Sequence, residues 1–404
     1  MTSTSCKEIA EQVLARCIAG DPPPALPPAL LEDACAPALF SILVEGLADR
    51  FEPALCDAYV RLFSQAVAQA AGDCDAAALE ARYRRVSNPR AAAAEPEAVF
   101  VLSRVTLGAD VAVTSVLLDA AKRRFPRARI VFVGPHKNFE LFAADPRLDC
   151  APVAYQRGRL RDRLAVWEDL RGLCRDPKSL VLDPDSRLTQ LGLLPIGADE
   201  RYHLFESRAY GGREDAAPDS ATHRGPLPEL AASWARETLG VEGAHPYLAP
   251  AGKAQSPRGV TVSLGVGENP AKRLPDPFEE KLLGLLGATG LPLTIDRGAG
   301  GEEAARVEEA CRRSGVAARF WEGSFAGFAA EIAASRLYVG YDSAGQHVAA
   351  AAGIPLISIF AGFPVPRMFE RWRPVSPDAQ VIRVDRPDAE STLARVRAAL
   401  AMVK

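Results

Sequence analysis

The sequence predicts an α/β protein made of two successive doubly wound parallel-sheet domains, preceded by a small all-helical module. Three observations lead there. From residue 98 onward, short apolar runs alternate with amphipathic stretches, the pattern of βαβ units. That alternation pauses once, at the Pro-, Gly- and Ala-rich stretch 241–258, and then resumes. Residues 1–90 carry helical periodicity and no strand. At 404 residues the chain exceeds one ordinary domain, so two lobes and a helical module fit its length.

The helical module, 1–90, has patterns at 4–19, 28–48 and 53–70, broken by the proline cluster DPPPALPP. In the third, Leu55, Tyr59, Leu62, Phe63, Ala66 and Val67 share one face, which suits packing or self-association into a homo-oligomer. SNPRAAAAEPE, 87–97, reads as a linker. The first lobe, 98–240, has expected strands at 98–104, 129–134, 151–155, 179–186 and 202–207, with helices at 111–125, 137–144, 159–174 and 227–240. The second lobe, 259–385, has strands at 259–265, 291–296, 318–322, 337–341, 355–360 and 381–385. Its helices fall at 276–287, 302–314 and 325–335, and a C-terminal helix within 386–404 closes the chain. Two such lobes are expected to face each other across a cleft.

Composition narrows the function. Hydrophobic residues at 48% and charged residues at 25% are those of a soluble globular protein. A net charge of −3 argues against a nucleic-acid binder, which presents a basic surface. No apolar run approaches a membrane span, and MTSTSCKEIAEQ lacks the basic-then-apolar order of a signal peptide, so a cytoplasmic chain is expected. The eight cysteines (Cys6, Cys17, Cys35, Cys56, Cys74, Cys150, Cys174 and Cys311) form no CxxC pair and fall mostly in apolar helical patterns. They read as free thiols in a reducing compartment rather than as zinc ligands or a disulfide framework.

The stretch that organises the chemistry is GYDSAGQHVAAAAGIP, 340–355. A buried strand turns at Asp342 into an Ala-rich helix whose first N–H groups and dipole make an anion site. Ser343, Ala344 and Gly345 form its mouth, Gly345 allowing close approach of a phosphate. His347 lies one turn inside; a helical histidine is also commonly structural. In the loop VGENPAKRLP, Lys272 and Arg273 precede a helix start, where positive charge opposes the dipole and suits a diphosphate. Glu302, in RGAGGEE, can hold ribose hydroxyls or serve as an acidic first turn. Gly323 and Ser324 can border a base. In the first lobe, Asp110 at the start of a helix is either a general base or an N-cap. Arg104, in the same loop, can hold an anionic group. Arg157 and Arg161, in RGRLRDR, belong to a basic cluster that suits a phosphorylated acceptor or a solvated helix face.

These residues resemble glycosyltransferase family 9, the ADP-heptose:lipopolysaccharide heptosyltransferases of the GT-B fold. The likeness is carried by SRVTLGADVAVTSVLLDAAKRRFP, GVGENPAKRLP, EGSFAGFAAEIAASRLYVGYDSAGQHVAAAAGIPLISIFAG and, more weakly, SLVLDPDS, over about 98–385. It implies an inverting, metal-independent transfer, without a cofactor, from a nucleotide-diphospho-sugar, ADP-linked, to an acceptor hydroxyl of a glycan, a lipid-linked saccharide or a protein, with peripheral membrane contact for a lipid-linked acceptor. By that resemblance Asp342 holds the sugar, Ser343 and its neighbours the diphosphate with His347 in support, Lys272 a phosphate, Glu302 the ribose, and Asp110 is the base. The family places Asp directly after Gly in the first loop, whereas here Ala109 stands between Gly108 and Asp110. It often has Gly two residues after the second aspartate, where this chain has Ala344 followed by Gly345. Two other functions share the architecture: a non-hydrolysing sugar-nucleotide epimerase and a non-catalytic nucleotide-sugar-binding scaffold.

Overall fold

The computed structural model describes residues 5–403 except 73, 93–94, 211–224, 253–258, 268 and 299. Parts of the expected linker 87–97 and of the connection 241–258 therefore lie outside the described residues. Among the described residues, eleven strands form two sheets. The first comprises β1 (Ala98–Leu102), β2 (Arg129–Gly134), β3 (Leu148–Pro152), β4 (Ser179–Asp183) and β5 (Tyr202–Leu204), in the order β3-β2-β1-β4-β5. The second comprises β6 (Val260–Ser263), β7 (Leu293–Asp296), β8 (Ala318–Trp321), β9 (Leu337–Tyr341), β10 (Leu356–Phe360) and β11 (Ala379–Arg383), in the order β11-β10-β9-β6-β7-β8. Every pairing is parallel. The α/β class with two doubly wound sheets is thus as the sequence predicts. Both sheets reverse direction of winding once, between β1 and β4 and between β6 and β9. Ligands of such sheets bind outside the carboxyl ends of the strands at that reversal.

The central strands are legible because they are covered on both faces. LYVGY and LISIF are buried at every position, so they read as unbroken apolar runs. Edge strand β3 starts three residues earlier than expected. Its exposed Asp149 and terminal Pro152 are tolerated on an edge, which hides the strand in the sequence. The helix expected over 28–48 is broken at its prolines into Pro28–Leu31, Asp33–Cys35, π-helical Ala38–Val44 and Glu45–Ala48. A helix over 137–144 shortens to His136–Phe139. Two helices were not expected: Ala76–Val86, capped by Asp75 accepting from the Ala77 and Ala78 N–H groups, and Pro366–Trp372. Among the described residues no helix is long and apolar enough to cross a membrane.

The chain divides into two compact units. The first is Met1–Val105, Val116–His136 and Arg147–Ala244; the second is Thr106–Ser115, Lys137–Pro146 and His245–Lys404. In the first unit the N-terminal helices have no core of their own. Leu55, Tyr59, Leu62 and Phe63 join Phe100, Leu102, Val131 and Val181 in one continuous cluster. The face that suited self-association is therefore spent against the chain's own first sheet. Buried polar contacts tie the same parts together: Tyr59 Oη donates to Gln190 O at 2.8 Å, Tyr83 Oη to Glu206 at 2.6 Å, and Arg82 pairs with Asp199 at 2.9 Å. The cysteine expectation fails at one pair. Cys6 and Cys35, 29 residues apart, form a disulfide with a Cα–Cα distance of 5.3 Å, brought together by the folding back of the proline-rich connection. Cys17, Cys174 and Cys311 are buried free thiols.

Candidate active site

The second unit places GYDSAGQHVAAAAGIP at its sheet reversal, where β9 runs into the helix Ala344–Ala351. Ser343 is the N-cap residue, but its side chain makes no capping bond, so the first-turn N–H groups keep their capacity for an anion. Its hydroxyl lies 3.3 Å from that of Tyr338. The reason for glycine at 345 is different from the expected one. A Cβ there would overlap the hydroxyl of buried Tyr338, so glycine is required for the helix to seat on β9, whatever approaches from outside. Gly340 is held in the same way by Ser263 O, 2.6 Å from where its Cβ would be.

Asp342 is buried and fully engaged. Its Oδ2 lies 2.7 Å from Lys272 Nζ, which also donates to the Asp342 carbonyl at 3.2 Å. Its Oδ1 accepts from Gln346 Nε2, and Ser358 Oγ donates to Gln346 Oε1. His347 packs edge-on against Trp372 with ring centroids 5.9 Å apart. Burial pushes its pKa down to about 4, against the pull of the neighbouring Asp342 carboxylate, so it is neutral near pH 7. Lys272 is delivered by the turn Pro270–Lys272, capped by Asn269, whose Oδ1 accepts from Ala271 N at 3.0 Å. Gly362, at φ +69°, makes room for this turn: a Cβ there would meet the Ala271 carbonyl carbon at 2.5 Å.

Arg273 does not join Lys272. It pairs with Asp276 and, through Nε at 3.2 Å, with Glu279, a buried carboxylate that also takes Arg306. A buried charge needs partners, and that need explains a cation beside a helix start without a phosphate. Glu302 points into solvent at the first turn of Gly301–Ser314. Its neighbour Glu303 folds back instead: Cβ atoms built at Gly298 or Gly265 would run into its carboxylate. Nearby, Asp296 ends β7 and accepts from Gly298 N at 3.1 Å and Ser263 Oγ at 3.3 Å, with burial raising its pKa. A cavity of about 450 Å³ opens beside it, lined among others by Asp296, Gly298, Gly301, Trp321 and Gly323. Ser324 caps Phe325–Ala334, accepting from Gly327 N at 3.2 Å. Gln346, Asp296 and Trp321 were not foreseen. The signal for Asp296 was present, an acidic residue ending the second strand of a doubly wound lobe.

The loop with Asp110 belongs to the same unit. A Cβ at Gly108 would stand 3.1 Å from Ala344 Cα and 3.3 Å from His347 Cδ2, so the loop is seated on the start of the anion-site helix. Asp110 does not present an open carboxylate and does not cap the helix. It is fully buried, accepting from Thr114 Oγ1 at 2.7 Å and from Asn138 Nδ2 at 2.6 Å. It begins a π-helical stretch, Asp110–Thr114, between the short helix Leu107–Ala109 and Ser115–Arg124. A π turn closes over one residue more than an α turn, and here it follows Ala109 directly.

In the first unit, Arg104 is half-buried between the ends of β1 and β4, donating to Pro184 O and to Ser207 Oγ at 2.8 Å. Arg157 is exposed. Arg161 pairs with Asp33 of the N-terminal helices, and Arg159 with Asp162 at 2.8 Å. The basic cluster is therefore largely neutralised, Arg161 included, and reads as a solvated helix face. Asp183, ending β4, is sealed from solvent; burial lifts its pKa to about 6, and Thr189, Tyr202 and Ser186 N donate to it.

Residues 242–398 match the model of glycosyltransferase family 9 (heptosyltransferase). That stretch takes in the second sheet and most of its helices. Similar solved structures include Escherichia coli ADP-heptose lipopolysaccharide heptosyltransferase II, at 19% identity over 75% of this chain and 98% of that one, with a TM-score of 0.51. A family 9 glycosyltransferase from Veillonella parvula shows 16% identity over 76% and 90%, TM-score 0.53. E. coli heptosyltransferase WaaC with ADP shows 15% identity over 75% and 99%, TM-score 0.54. At such identities the likeness establishes a shared fold. No curated protein matches the chain. Within the matched stretch, Lys272, Asp342, Ser343, Ala344, Gly345 and His347 come together at the sheet reversal, while Arg273 and Glu302 stand apart from them.

Proposed function

We propose that the glycosyltransferase domain binds a nucleotide-diphospho-sugar at the β6–β9 reversal, and that the chain transfers the sugar, a heptose or relative, to an acceptor hydroxyl with inversion. The observation that carries this is the Lys272–Asp342 pair at the uncapped start of Ala344–Ala351. A cation and free N–H groups there meet the charge that develops on a departing diphosphate, and Asp342 meets sugar hydroxyls. The cavity beside Asp296 and Trp321 has the size and chemistry for a nucleoside, with carboxylates for ribose and a ring for the base. On this reading the leaving group needs no metal. A heptosyltransferase neighbour is named with ADP, so ADP-linked donors come first. The acceptor is a saccharide of the lipopolysaccharide type, and the reaction belongs in the cytoplasm, where nucleotide-activated sugars are made. Asp110 takes the acceptor proton, which requires one of its oxygens to be released from Thr114 or Asn138 when the acceptor binds.

A thermal-shift screen of nucleotide-sugars tests this. At about 100 times Kd, a bound donor stabilises the native state by about 2.7 kcal/mol. ADP-heptose is expected to raise the melting temperature by several degrees and to release ADP when an acceptor saccharide is added. Absence of a shift with every nucleotide-sugar would overturn the reading.

A further inference from the structure

Gln346 is completely buried one turn beyond Asp342 on the same side of the helix. A buried amide is costly unless its groups are paired, and its direction can be read from its neighbours. Oε1 faces a hydroxyl, Ser358 Oγ of β10, which donates to it. Nε2 faces two acceptors, Asp342 Oδ1 and Trp372 O at 3.4 Å, and lies 3.3 Å from the Nε2 of His347. A flipped amide would set its oxygen against the carboxylate, so one orientation is selected. Lys272, the other partner of Asp342, is of a different kind. It is partly exposed at the end of a flexible four-carbon stem, with 19% of its side chain accessible.

We propose that Gln346 is the positioning residue of the donor site. By keeping Asp342 Oδ1 permanently occupied, it leaves one carboxylate oxygen, Oδ2, to be exchanged between Lys272 in the free protein and a single sugar hydroxyl in the complex. Lys272 then moves to the diphosphate. This rests on the donor reading above and adds to it a one-for-one exchange with a fixed and a movable partner. The centre is stable without ligand because Oδ2 is never left bare. It also selects donors, since only a sugar whose hydroxyl reaches Oδ2 completes the exchange.

The test compares ADP with ADP-heptose by titration calorimetry in the wild type, Gln346→Leu, Gln346→Glu and Ser358→Ala, alongside turnover. ADP carries the diphosphate but no sugar hydroxyl for Oδ2, so its affinity in each of the four proteins is the reference from which the sugar increment is read. The additional affinity of ADP-heptose over ADP is expected to fall on the order of tenfold in Gln346→Leu, the effect of losing a hydrogen bond to a charged group. Ser358→Ala, which frees the amide to flip, shows a smaller loss in the same direction. Gln346→Glu keeps the shape and supplies a pH signature. Two facing carboxyls share a proton, so the introduced acid donates to Asp342 only while protonated. Sugar-dependent affinity then survives at low pH and disappears as pH rises, whereas the wild type is flat. An unchanged sugar increment in Gln346→Leu, or a flat profile in Gln346→Glu, overturns the proposal. If the wild type itself binds neither ADP nor ADP-heptose, the donor reading has failed, and the Gln346 assignment falls with it.

Discussion

Replacing Asp110 by asparagine separates chemistry from packing at the least accessible carboxylate of the site. In the native protein it accepts from Thr114 Oγ1 at 2.7 Å and Asn138 Nδ2 at 2.6 Å. An amide at 110 would set a donor against one of these donors. Asn138 can resolve the conflict, because its Oδ1 is buried without a hydrogen-bond partner. A half-turn of its amide lets that oxygen accept from the new N–H. What is lost is the charge assistance on two bonds, roughly 1.5–3 kcal/mol each becoming about 1 kcal/mol each. A net destabilisation of about 1–3 kcal/mol follows, lowering the melting temperature by about 2–4 °C per kcal/mol for a unit of this size. Removal of a general base lowers turnover by about 100- to 10,000-fold. We expect Asp110→Asn to fold, to bind ADP-heptose as the wild type does, and to lose at least ~100-fold in kcat, measured by ADP release beside thermal unfolding. A variant that melts a few degrees lower yet turns over almost normally would refute the base assignment. Asp110 would then serve only to buttress the segments Thr106–Ser115 and Lys137–Pro146.

Lys272→Ala leaves the Asp342 carboxylate with one uncompensated oxygen and removes a cation from the diphosphate. Donor affinity is expected to drop about 10- to 100-fold by calorimetry, and unchanged affinity would take Lys272 out of the site. Acid sensitivity follows from His347, whose pKa falls from 6.5 to about 4 on burial. The unfolded chain binds a proton that the native state refuses, so stability is constant above pH 6.5 and is lost as pH falls toward 4, by about 3 kcal/mol at ~1.4 kcal/mol per unit. His203 acts in the same direction in the first unit, while Asp183, with a raised pKa, acts oppositely. Denaturant titrations at pH 7.5 and 4.5 should show the loss, reduced in His347→Gln; an identical slope in that variant would contradict the assignment.

What could be read from the chain followed the physics of each element. Covered strands such as PLISIF need no partner to be recognised, because burial on both faces leaves mostly apolar residues, with Ser358 the one polar member. The turn from strand to helix at Asp342 was equally visible, being a strand, an aspartate and a run of small residues in line. Choices between adjacent residues were not visible. Lys272 and Arg273 differ by one position, yet buried Glu279, six residues beyond Arg273, captures the second. Glu302 and Glu303 differ by about 100° of helix rotation, and only the structure says which of them folds back over Gly298. Gln346 acquires its meaning from Ser358 on the next strand, and Cys6 finds Cys35 only once the prolines have turned the chain. In each case the deciding contact is made by the fold and not by the adjacent residues.

The π turn at Asp110–Thr114 also bears on how such chains should be aligned and redesigned. An extra residue in a regular helix rotates everything after it by about 100°, carrying core residues to the surface. Here Val116, Leu117, Ala120 and Ala121 are buried downstream of the π turn, and a Cβ at Gly108 upstream would meet Ala344. The widened turn acts as a phase corrector: two registers, one set by the ligand side and one by the oily side, coexist in a single rod. Gap-free superposition of this chain on a relative without the alanine will therefore be right at one end of the rod and wrong at the other. Deleting Ala109 should be viewed less as trimming a loop than as resetting the angle between those two ends.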